Sequence, residues 1–129
     1  IDADLYAVYT VGGGVGAAMA VQADGDSEVV INGGDFRQVG VPSGEPCDLI
    51  YALGKATITI NGGTFKATTP ANTLNVKDDA RGKAKIIVNG GRFYKYDPSN
   101  PNPKLGANEV FLGEGCKVTQ EGDWYVVSQ

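Results

Sequence analysis

Apolar and polar residues alternate in three short stretches that share one frame. In the middle stretch Ile58 and Ile60 face one way, and Thr57 and Thr59 the other. Val29 and Ile31 hold the same places in the first stretch, and Ile86 and Val88 in the third. A period of two with β-branched enrichment predicts strands. No window of useful length places apolar residues three and four apart, as a helix requires. A second set of short apolar runs precedes these stretches, at residues 19–21, 49–53 and 74–76. Each repeat therefore has two extended parts, joined by connectors of varying length (23–27, 54–55 and 77–83), as surface loops are.

The tripeptide Asn-Gly-Gly closes each alternating stretch, at Asn32-Gly33-Gly34, Asn61-Gly62-Gly63 and Asn89-Gly90-Gly91, and the asparagines lie 29 and then 28 residues apart. Two folds compete for this pattern. Asn-Gly between alternating strands is a hairpin signal, which suggests a meander. A near-constant period of this size is also the mark of stacked repeats, each touching only its neighbours. Phe36, Phe65 and Phe93 follow the glycines at one fixed offset, and a meander gives no reason for that spacing. Stacked repeats would pile the three rings into a ladder about 4.8 Å per step. Ile31, Ile60 and Val88 would form an aliphatic ladder beside them, with the asparagines bonding from coil to coil. The expected fold is all-β: a right-handed parallel β-helix (β-solenoid) of about four coils and three short sheets, on the order of 20 Å long.

Residues 17–97 are expected to hold the repeats, and 1–16 an irregular first coil or cap. Residues 98–129 read as a proline-rich linker followed by a C-terminal β-hairpin cap. Its strands are 117–120 and 124–127, and the single Trp124 would cover the last coil. The chain opens on Ile1 and enters strand-like sequence almost at once, so it reads as a domain cut from a longer protein or as a processed chain.

Composition narrows the chemistry. Nineteen glycines in 129 residues imply many tight corners. There is no histidine, which removes Ser-His-Asp and Cys-His catalysis and the commonest zinc ligand. A net charge of −4 argues against nucleic acid as a partner. The uncharged run from residue 5 to 21 is short for a membrane span and is broken by glycines, so no membrane insertion is expected. Cys47 and Cys116 lack CxxC spacing; one disulfide or two small buried thiols both fit.

Repeats such as Ile-Thr-Ile-Asn-Gly-Gly-Thr-Phe (58–65), the run Gly-Gly-Arg-Phe-Tyr-Lys-Tyr-Asp-Pro-Ser-Asn-Pro (90–101) and the tail from 113 to 127 resemble right-handed β-helix domains of bacteriophage fibre and spike proteins, also found in gut bacterial surface proteins. The resemblance covers about residues 17–129. It implies a homotrimer projecting from a virion, at the virion surface or otherwise extracellular, in contact with other virion proteins and with a host surface glycan or protein. It carries over no individual binding residue.

Several residues invite a functional reading. Gly12-Gly13-Gly14-Val15-Gly16-Ala17 fits G-x-G-x-x-[GA] formally, but no full helix follows to receive a pyrophosphate, so a coil corner is expected and no cofactor. Asp24, Asp26 and Glu28 alternate in a glycine-containing loop, as calcium ligands sometimes do, yet they and Asp78-Asp79 read as solvated turns, and no metal is expected. A polysaccharide lyase or hydrolase would draw on Asp35, Asp48, Asp78 and Asp79 as acids and on Arg37, Lys66 and Arg92 as bases, but no pair is singled out by spacing. Tyr94 and Tyr96 alternate beside Lys95 on one face, either to meet a ligand or to pack on the prolines that follow. Val30 and Ile87 put aliphatic side chains outward where the middle repeat has Thr59, a hint of an interface patch. The expected role is structural and binding, not enzymatic: a phage fibre or spike domain. A monomeric bacterial cell-surface adhesion module stands second and the polysaccharide-processing enzyme third.

Overall fold

The computed structural model describes residues 1, 3, 5–8, 19–39, 47–100 and 110–129 of the chain. The protein is all-β, with several sheets and no closed barrel. Strands β2 (Val21–Ala23), β5 (Ile50–Ala52) and β8 (Leu74–Val76) form one sheet. Strands β3 (Glu28–Ile31), β6 (Thr57–Ile60) and β9 (Lys85–Val88) form a second. The third sheet runs from β1 (Leu5–Val8) through β4 (Asp35–Val39), β7 (Thr64–Lys66) and β10 (Gly91–Tyr94). Two C-terminal strands, β12 (Trp124–Ser128) and β11 (Lys117–Glu121), complete it. Every pairing between repeats is parallel.

The Asn-Gly-Gly tripeptides thus do not close hairpins. The strands on either side of each one, such as β3 and β4, lie in different sheets. Each glycine pair turns the chain straight into a third strand, the one carrying the phenylalanine, so a repeat has three extended parts and not two. The C-terminal hairpin is present as antiparallel β11 and β12, closed by Gly122 at φ +62° and Asp123. Much of the 1–16 segment, the Gly12–Ala17 motif and residues 101–109 lie outside the described residues.

The period is less uniform than the tripeptides suggest. Val21, Ile50 and Leu74 share one column, so the second step is five residues shorter than the first there. A 3-10 turn at Pro70–Asn72 makes the shortcut, and a second at Asp78–Ala80 returns the length before β9. Parallel register needs the strands aligned, while the connectors absorb the difference.

Inward side chains meet in columns. Phe36, Phe65 and Phe93 are fully buried, with centroids 4.9 and 4.8 Å apart and planes within 6° and 8° of parallel. Each such contact contributes about 0.5–1.5 kcal/mol beyond the area it buries. Ile31, Ile60 and Val88 form the neighbouring column, also fully buried. Ala23, Ala52 and Val76 supply the small residues opposite.

The two glycines of each pair answer different demands. Gly34, Gly63 and Gly91 all sit at φ +112°, a region essentially closed to residues with a Cβ. At the first glycine the repeats approach too closely: a Cβ on Gly62 would stand 2.6 Å from the Asn32 carbonyl oxygen, and one on Gly90 would strike that of Asn61.

Urea unfolding checks this account. Phe65→Ala should cost about 3–5 kcal/mol, because it empties the middle of the ring column. Gly63→Ala should cost about 1–3 kcal/mol through its backbone. The exposed Lys55→Ala should stay within about 0.5 kcal/mol. Equal losses for Phe65→Ala and Lys55→Ala would show that the column does not hold the repeats together.

Candidate functional site

The inward phenylalanines dictate what the third sheet shows to solvent. Alternation sends the residues flanking each ring outward: Asp35 and Arg37 on β4, Thr64 and Lys66 on β7, Arg92 and Tyr94 on β10. Register then sets the neighbours. Arg37 pairs with Lys66, and Thr64 lies between Asp35 and Arg92. On the other side Trp124 of β12 stands opposite Tyr94, and Val126 opposite Arg92.

A compact set of rings and cations results. The Tyr94 and Trp124 rings meet edge to face, 5.3 Å between centroids at 66°. Lys66 Nζ stands 4.5 Å from the Tyr94 centroid and Lys95 Nζ 5.3 Å. The Arg92 guanidinium lies 4.7 Å from the Trp124 centroid. Such contacts are individually worth about 0.5–1 kcal/mol at exposed sites. Beside them Arg37 Nε donates to Asp35 Oδ1 at 2.8 Å.

Tyr96 does not share this face. Lys95 takes φ +49°, the left-handed turn breaks the alternation, and Tyr96 swings inward. It is 3% exposed, 6.5 Å from Phe93, with its hydroxyl near the Leu74 carbonyl at 3.4 Å. Tyr96 is a core residue and Tyr94 alone faces out. Trp124 is likewise placed outside and does not lie over the last repeat, because its register partner is Tyr94 and not Phe93. The end of the core is closed by Tyr96, Phe111 and Val127, all buried.

The acids named in the sequence lie elsewhere. Asp48, Asp78 and Asp79 gather around Tyr51 on the outward side of the β2–β5–β8 sheet. Tyr51, Asn75, Lys77, Asp78 and Asp79 line a shallow depression of about 380 Å³. Asn75 Nδ2 donates to Asp48 Oδ2 at 3.1 Å. Burial raises the Asp48 carboxyl above its ordinary value, against the lowering effect of that bond. Burial raises the Tyr51 hydroxyl too, with help from the charge of Asp48. Asp78 and Asp79 bind locally to Arg81 and Lys77. Asp48, Asp78 and Asp79 therefore lie beside one sheet, in the segments before β5 and after β8, and Arg37, Lys66 and Arg92 on another with Asp35. Asp24, Asp26 and Glu28 are exposed around their turn, where Gly25 N donates to Asp24 Oδ1 at 2.6 Å. Among the described residues, no group of three or more acids or cysteines is placed to hold a metal ion.

The remaining named residues fall on the β3–β6–β9 sheet and its corner. Val30, Thr59 and Ile87 form one outward row, with Val30 46% exposed. Asn61 Nδ2 donates to Asn32 Oδ1 at 3.0 Å and Asn89 Nδ2 to Asn61 Oδ1 at 3.2 Å. Cys116 Sγ lies 3.7 Å from Asn89 Oδ1, at the end of this ladder. It is not joined to the buried Cys47. Among the described residues, no helix is long and apolar enough to cross a membrane.

Trp124, Tyr51 and Asn75 are the residues that sequence reasoning did not place in these clusters, whereas Lys95 was expected beside Tyr94 and is found there. Trp124 reaches Tyr94 only because β12 adds beside β10, which no local pattern announces. Asn75 was visible in principle, as the third-repeat counterpart of Tyr51, but the shortened connector hides the alignment.

No protein-family model, curated protein or solved structure matches the chain.

The Asp48 carboxyl gives a pH prediction. Its folded-state pKa lies above the reference value of 3.8, so the native state holds this proton more tightly than the unfolded chain. That stabilisation is complete below pH 3.8 and disappears as pH rises through the raised value. Asp48→Asn removes the titration and leaves an amide oxygen to accept from Asn75. The variant should be more stable than the parent at pH 7, with the gap closing as the pH falls toward 4, as read by chemical unfolding at both pH values. A gap independent of pH would refute the assignment.

Proposed function

We propose that this chain is a short right-handed parallel β-solenoid acting as a non-catalytic structural and binding domain of a phage fibre or spike, trimeric and displayed on the virion surface to contact the host. The observation that carries the reading is the register. Each repeat gives one strand to each of three sheets, in parallel, with identical side chains over one another. A stack of this kind holds its outward faces rigid and in fixed relation.

Two of those faces fit the two contacts such a domain makes. The Val30–Thr59–Ile87 row offers an aliphatic strip with Val110 exposed close to Ile87, suited to a neighbouring subunit. The Tyr94–Trp124 face offers rings and cations, suited to a host-surface molecule. A polysaccharide-cleaving role is disfavoured by the separation of acids from bases. Asp48, Asp78 and Asp79 line the Tyr51 side, whereas Arg37, Lys66 and Arg92 lie on another sheet, where Asp35 is engaged by Arg37.

Light scattering on the purified chain should return three chain masses, and Ile87→Lys should reduce this to one while the circular dichroism is kept. A parent mass of one chain would sink the trimeric reading and leave a monomeric surface module in its place. Shortening of a host polysaccharide on incubation would establish an enzyme instead.

A further inference from the structure

The outward face of β7, β10 and β12 carries positive charge that its own structure does not neutralise. Lys66, Arg92 and Lys95 converge on two touching rings. Among the described residues none of the three is in an ion pair, whereas Arg37, Lys77 and Arg81 each have a carboxylate. This happens in a chain with 15 acids against 11 bases. The carboxylate nearest in register, Asp35, lies across Thr64 from Arg92 and is engaged by Arg37, while Glu121 stands opposite Trp124 on β11, on the side away from Lys66. Like charges held this close repel one another, and an arriving anion relieves that repulsion.

We propose that this face binds an acidic oligosaccharide, with sugar rings lying on Tyr94 and Trp124 and carboxylates meeting Lys66, Arg92 and Lys95. The inference rests on the binding role proposed above and names the ligand class for it. The apolar faces of sugar rings pack on aromatic rings, and the planar guanidinium of Arg92 matches a carboxylate in two-pronged fashion. Three strands about 4.8 Å apart make the face about 10 Å across, the scale of a short oligosaccharide. Single-stranded nucleic acid also uses rings and cations. It needs a basic groove that follows several phosphates, however, and here the charge without a carboxylate ends within that width, since Arg37 beside Lys66 is held by Asp35.

Trp124 is the chain's single tryptophan, so its fluorescence reports this face alone. Titration with trigalacturonic acid should change the emission saturably, and added salt should weaken the binding. The neutral trisaccharide maltotriose should bind about ten-fold more weakly or worse, and Lys66→Gln and Lys95→Gln should each weaken the acidic ligand by about ten-fold with unchanged circular dichroism. No saturable response to trigalacturonic acid at millimolar concentration would overturn the proposal, as would equal binding of maltotriose or of the two variants. Tighter binding of an oligothymidylate would replace it with a nucleic-acid surface. The chain mass is measured separately, so a failure here leaves the trimeric reading untouched, and the reverse also holds.

Discussion

The parallel register of the repeats is the constraint on which the rest depends. Strands from successive repeats lie one over another, and each inward position must accept the same position of its neighbours at the strand spacing. Identical flat rings meet that demand well: Phe36, Phe65 and Phe93 stack nearly parallel and fully buried. Identical amides meet it at the surface, where each asparagine donates to the one before it. The glycines follow from the same spacing, since Gly62 and Gly90 pass so close to the preceding repeat that a Cβ has no room. A slip of one residue would turn every ring outward and every outward cation in, which is why the register is strongly specified.

Stacked repeats leave open edges, and the described residues meet the first and last repeats by different contacts. At the start Ile1 bridges the first corner. Its amino group donates to the Val30 carbonyl, and its own carbonyl accepts from Asn32 and Gly33. At the other end the chain abandons the repeat. Phe111 and Leu112 run beside Val88, Tyr96 folds under Phe93, and the antiparallel β12–β11 hairpin finishes the third sheet. The asparagine ladder stops on Cys116, and a side chain at Gly113 would displace the Asn89 amide.

The same register sorts the charges. Outward positions on one sheet collect Arg37, Lys66 and Arg92, and those on another collect Tyr51 and Asn75 beside three acids. Each face is then a short grid of side chains at fixed spacing. Such a grid suits the presenting role proposed above.

The residues that recur were legible in the chain itself. Asn-Gly-Gly and the phenylalanine at fixed offset implied stacking, because only equal environments demand equal residues. The alternation of Ile58 and Ile60 with Thr57 and Thr59 implied which side is buried. Three short sheets were expected, but the third strand of each repeat was not located in the sequence, since its few residues are too short to display a period. The fate of Tyr96 was not legible either, because one left-handed residue, Lys95, reverses the alternation. The position of Trp124 depended on which strand the hairpin joins, and that is fixed by packing at the end of the core. Local pattern thus determined the repeating unit and its inward face. The tertiary structure alone decided how the stack ends and which outward side chains meet, because those contacts join residues whose separation in sequence follows no period.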